Sequence, residues 1–129
     1  MPSAARFRSP DNGNGIFWYS FEVGNVHVAM VSSEHDPAVG APMGDWLVAD
    51  LASVDRSVTP WLILGIHRPL YETEQYAGDF AVAAGLRGLM EAYLLKYGVD
   101  VVVAGLVCAG GACEVWGVGA LMRQSGRLL

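Results

Sequence analysis

Two short stretches, Trp61–Ile66 and Val99–Ala104, restrict this chain more than anything else in it. Trp61-Leu62-Ile63-Leu64-Gly65-Ile66 has no polar side chain and no alternation, which is the pattern of a strand buried on both faces of a parallel sheet. Val99 to Ala104 reads the same way apart from Asp100. Between them, Leu86, Met90, Tyr93, Leu94 and Tyr97 recur at three- and four-residue steps, which predicts a helix over 80–97 that Gly98 closes. Parallel neighbours need such a crossover, and the crossover is right-handed.

The preceding residues extend the scheme. Ile16–Phe21 and Val26–Ser32 read as strands, and the short link Glu22–Asn25 makes them an antiparallel hairpin. Met43, Trp46, Leu47, Leu51 and Val54 predict a helix over 43–54, with Asp45, Asp50 and Asp55 on its solvent side. The order β-β-α-β-α-β specifies an α/β fold, a layered β-sheet with flanking helices. Residues 1–15 form an irregular N-terminal segment dense in turn formers, 16–105 the domain proper, and 106–129 a divergent tail without a period.

Composition narrows the partners. A chain of 129 residues suits one small domain. With 53% hydrophobic and 16% charged residues it is apolar for a soluble domain, as a piece of a larger layered structure would be. Apolar surface left open in such a piece promotes self-association. The net charge is −5, the one lysine is Lys96 and the arginines are scattered, so no nucleic-acid footprint is present. Met1–Phe7 lacks the apolar core of a secretory signal. The apolar tract Val101–Met122 has the length of a membrane span, but Glu114 and several glycines argue against one.

Chemistry in an open α/β sheet gathers where strands end. His67 follows the strand 61–66 directly, and Arg68-Pro69 stiffens the loop beyond it. By position alone His67 reads as a metal ligand or, more commonly, as a loop histidine bonded to a nearby carbonyl. His27, inside a strand, reads as a packed histidine, and Glu34-His35-Asp36 as a solvated acidic loop. Gly117-Val118-Gly119 lacks the third glycine of a dinucleotide fingerprint, Gly105–Gly110 lacks the Lys-Ser/Thr of a P-loop, and Cys108 and Cys113 lack a second zinc-ligand pair.

Several blocks in order are similar to the purple acid phosphatases, of the calcineurin-like metallophosphoesterases. They are Phe17–Phe21, Val26–Val28, Ser32–Asp36, Trp46–Leu47 with Asp50–Trp61, Gly65–Tyr71 and Leu94–Gly105. The resemblance implies a partial metallophosphoesterase sandwich that hydrolyses phosphate monoesters. It implies a dinuclear centre of iron with zinc, manganese or a second iron, and a protein commonly secreted or vacuolar. The family's first ligands, aspartates, a tyrosine and an asparagine, precede the matched region. His67 matches the histidine of the fourth motif. The closing Gly-His-x-His motif falls on Gly105-Leu106-Val107-Cys108, where Leu106 and Cys108 replace both histidines. The expectation is a phosphatase fragment that retains His67 and is inactive alone; the alternative is a non-catalytic interaction or scaffold remnant. The crossover should bring His67 beside the Gly105–Cys108 turn.

Overall fold

The structure, a computed structural model, describes residues 10, 13–71, 77–105 and 118–119, without the side chains of 77–79 and 118–119. Most of the N-terminal segment 1–15 lies outside the described residues, as do Leu106, Cys108 and nearly all of the tail.

The chain opens with a hairpin of β1 (Tyr19–Val23) and β2 (Val26–Val31). Its turn is the two residues Gly24-Asn25, and Gly24 takes a φ of 59°, which favours glycine. The first strand therefore runs later than the expected 16–21. The tight turn leaves Glu22 and Val23 to pair with His27 and Val26.

Helix α1 (Pro42–Ser53) leads to β3 (Trp61–Ile66), and helix α2 (Ala77–Lys96) leads to β4 (Val101–Ala104). The strands lie in chain order; β2, β3 and β4 are parallel, and β1 is antiparallel to β2. A two-residue β5 (Val118–Gly119), not expected from the sequence, pairs antiparallel with β4. The fourth strand starts at Val101 rather than Val99, because Val99 N–H donates to Leu94 O and thereby closes α2.

Both helices pack on one side of the sheet, into one core. Ala29 and Val31 of β2, Leu62, Leu64 and Ile66 of β3, and Val102 of β4 meet Met43, Leu47 and Leu51 of α1 and Met90 and Leu94 of α2. Asp50, expected to face solvent, instead points into this layer. Its Oδ2 lies 2.9 Å from His27 Nε2, and its Oδ1 accepts from Ser20 Oγ at 2.5 Å. The half-buried carboxylate stabilises the helix against the hairpin because His27 and Ser20 supply the partners that water would.

At the amino ends of β3 and β4 a second polar device ties the two crossovers together. Arg56 Nη1 donates to Asp100 Oδ2 at 2.7 Å and to Pro60 O at 2.9 Å. Its Nη2 donates to Tyr97 O and Gly98 O, just past the carboxyl end of α2, where a cation is favoured. The same Asp100 Oδ2 accepts from Leu62 N at 2.8 Å.

The opposite face of the sheet is as apolar as the packed one. Tyr19, Phe21 and Val23 stand beside Met30, Val28 and Val26. Trp61 and Ile63 follow across β3, then Val101 and Val103 on β4. Among the described residues nothing packs over them as the helices do on the other side: Val23, Trp61 and Val103 are exposed and the rest only half-buried.

Candidate functional site

The three parallel strands end level with one another. Val31 pairs with Ile66 and Ile66 with Ala104, so the residues that follow them, Ser32, His67 and Gly105, form a row along the carboxyl edge. Gly105 N donates to Ile66 O at 3.0 Å and holds the row together. His67 lies directly over Gly105: a methyl group there would sit 2.9 Å from His67 Nδ1 and 3.3 Å from its carbonyl oxygen. Only glycine leaves room for the imidazole in this position. Leu106 and Cys108, which the sequence places next, lie outside the described residues.

The loop after β2 supplies the neighbouring polar groups. Glu34 Oε1 accepts from Arg68 Nε at 2.8 Å and from Ser33 Oγ at 3.1 Å. The Arg68 hydrogen bond, then the Ser33 one, then the Arg68 charge hold its carboxyl below the usual range, with a smaller contribution from His67. His35 Nδ1 is 2.8 Å from Ser32 Oγ, and its ring packs against Phe17 and Trp18 at centroid distances of 5.1 and 5.0 Å. Asp36 Oδ1 accepts from Ala38 N at 2.9 Å. Glu34 and Asp36 are exposed, while His35 is drawn into the aromatic pair. Tyr71 fastens the segment beyond His67 to α2 by donating to Glu91 Oε1 at 2.5 Å. Burial first, and that hydrogen bond second, push its phenol up to about 12.

These side chains already have partners within the protein. Glu34 is engaged by a guanidinium, His35 by a serine and two rings, Asp36 by a backbone amide. Among the described residues no three of histidine, cysteine, aspartate and glutamate are grouped so as to hold a metal ion. The donors described do not fit a dinuclear centre.

The cluster of Ser20, Asp50 and His27 lies apart from this edge, toward the start of β2. A hydrolytic triad needs the histidine between serine and carboxylate, where it can take the serine proton. Here the carboxylate is in the middle, with Ser20 Oγ donating to Asp50 Oδ1 and His27 Nε2 beside Oδ2, which is not the order of such a triad. His27 is 7% exposed and is packed, as its place inside a strand indicates. The sequence did not disclose the Glu34–Arg68 pair or the Tyr71–Glu91 bond, which join residues from different strand ends and helices; the only trace was opposite charge at neighbouring strand ends.

No family model matches the chain. It is 41% identical to acid phosphatase A of Cryphonectria parasitica, an alignment covering 73% of this chain and 22% of that protein. It is 38% identical to purple acid phosphatase 15 of Arabidopsis thaliana, over 82% of this chain and 20% of that one. Fe(3+)-Zn(2+) purple acid phosphatase 12 of Arabidopsis thaliana is 32% identical, over 84% and 23%. Among solved structures, the purple acid phosphatase from yellow lupin (Lupinus luteus) seeds superposes with a TM-score of 0.67 at 32% identity, covering 81% of this chain and 19% of that one. The chain therefore spans about a fifth of the length of the relatives it matches.

Proposed function

Because this chain is a relative of the purple acid phosphatases over about a fifth of their length, we propose that it carries one strand edge of a metal-assisted phosphate-monoester hydrolase site and does not turn over substrate alone. His67 is the retained ligand. The observation that carries this reading is the level ending of β2, β3 and β4, which sets His67 against Gly105, where the resemblance puts the last metal-binding motif. In a complete site, metals neutralise the phosphate and lower the pKa of an attacking water. In this chain Glu34, His35 and Asp36 are engaged elsewhere, and Leu106 and Cys108 stand in place of both histidines of the motif.

The test is a p-nitrophenyl phosphate assay of the purified chain at acid pH, with iron plus zinc or manganese supplied. No release above a metal-only blank is expected. A metal-dependent rate that His67→Ala abolishes would overturn the reading.

A second reading has its own observation, the open apolar face of the sheet. On it the chain is a non-catalytic interaction remnant that associates with itself through apolar surface. Titration with zinc, followed by the imidazole NMR signals, separates the two. A shift confined to His67 supports the retained ligand position, and no shift at any histidine leaves the interaction reading.

A further inference from the structure

We propose that His27 is a proton-operated latch. When its ring takes up a second proton it binds Glu22 of β1 and Asp50 of α1 together, and the hairpin is fastened to the helix layer more firmly in acid than above neutrality. The latch is separate from the strand edge discussed above, since His27 lies toward the start of β2 and the row of Ser32, His67 and Gly105 follows its end.

The partner of one ring nitrogen decides the state of the other. Asp50 Oδ1 accepts from Ser20 Oγ at 2.5 Å, and Oδ2 lies 2.9 Å from His27 Nε2. A carboxylate only accepts, so Nε2 is the nitrogen that carries hydrogen. A neutral imidazole has a single N–H, which leaves Nδ1 with a lone pair. Nδ1 is buried and among the described residues has no hydrogen-bond partner. The charged group beside it is another acceptor, Glu22 Oε1 at 3.7 Å. The neutral ring therefore sets a buried lone pair against a carboxylate, an arrangement that costs stability.

A proton on Nδ1 reverses that contact. The nitrogen becomes a donor, and the exposed Glu22 side chain has the freedom to close the remaining distance. Burial of the ring opposes the charge, since the His27 side chain is 9% exposed. Asp50 tips the balance: its side chain is 12% exposed, and its bond to Nε2 becomes charge-assisted and shielded from water. Glu22, open to solvent, adds the smaller share. On the other side of His27, β3 presents Leu62 and no charge. The two carboxylates come from a neighbouring strand and a helix, so one proton ties three elements, and unfolding disperses all of them. A proton favoured by the folded chain stabilises it below the ordinary histidine range, near about 6.5, and the gain is lost as pH rises through that range.

The experiment is urea unfolding of the full chain at about pH 5.5 and about pH 8, on either side of that range. The ratio of the unfolding constants, pH 8 over pH 5.5, should be larger by about threefold or more for the unaltered chain than for His27→Gln. Glutamine retains an N–H for Asp50 and takes up no proton. His35 and His67 are present in both proteins, so their share cancels. Glu22→Gln, at an exposed position, should lower the ratio in part, and it carries the test if His27→Gln fails to fold. Nitrogen-15 NMR of the imidazole should show the Nε2–H tautomer at pH 8 and a doubly protonated ring in acid. Equal ratios in the unaltered chain and His27→Gln would overturn the latch, as would a fold weakened when the ring is charged. A ratio untouched by Glu22→Gln, or an Nδ1–H tautomer at pH 8, would overturn it as well.

Discussion

Replacing Arg56 by alanine removes a guanidinium that touches four groups at once. The side chain is 27% exposed and that of Asp100 only 10%, so the pair is largely shielded from water. Without Arg56, Asp100 keeps the Leu62 amide as its remaining hydrogen-bond partner among those described, and the Tyr97 and Gly98 carbonyls lose their cation. A hydrogen bond to a charged group contributes about 1.5–3 kcal/mol, and stranding one partner of a buried pair costs about 3–5 kcal/mol. Partial exposure of the arginine places the expected loss near the low end, about 3 kcal/mol. That is a large share of a total stability on the order of 5–15 kcal/mol. In urea, with a slope of about 1.5 kcal/mol/M, the midpoint should fall by about 2 M with the slope unchanged. Asp100→Asn keeps an acceptor for Leu62 while removing the charge, so the double-mutant cycle isolates the pair, with an expected coupling of about 1.5–3 kcal/mol. Tryptophan fluorescence follows the transition. A loss under about 1 kcal/mol for Arg56→Ala, or no coupling with Asp100, would refute the claim that this network joins the two crossovers.

Gly85 and Gly88 lie on the exposed side of α2 with nothing within 4 Å of an added methyl group, so alanine at each should stabilise the chain by about 0.5–1 kcal/mol in the same urea assay. The Tyr71 phenol, raised to about 12, should ionise above the ordinary tyrosine range when absorbance at the phenolate band is followed against pH, and Glu91→Gln should bring it down. Because its folded value lies above the unfolded one, near 10, the stability tied to this proton is complete below pH 10 and is lost as pH rises from about 10 to 12. Ionisation of Tyr71 within the ordinary tyrosine range, with no change in Glu91→Gln, would contradict the bond to Glu91.

The sheet was legible because its evidence is local. Unbroken apolar runs mark β3 and β4, and helical spacing of Leu86, Met90 and Leu94 marks the crossover that makes them parallel. Asp50 was misread for the reason that makes it informative. Helical spacing sets it off the main apolar stripe, and nothing in the neighbouring sequence shows that Ser20 and His27, from another element, will meet it. Arg56 is likewise silent in sequence, since its partners other than Pro60 lie more than forty residues away. At the strand edge, the position of His67 followed from topology. Its seat on Gly105 did not, because that contact depends on two strand ends lying level.

Strand order has a consequence for how the chain is made. Each of β1 to β4 lies next to the one synthesised just before it, and β5 extends the same edge. No strand has to enter between two that are already paired. The growing polypeptide can therefore lay down its sheet from one side to the other as it leaves the ribosome, each crossover helix closing over the strand just added. Truncation from the carboxyl end should then remove strands singly from one edge and leave the hairpin and α1 as the last unit to lose order.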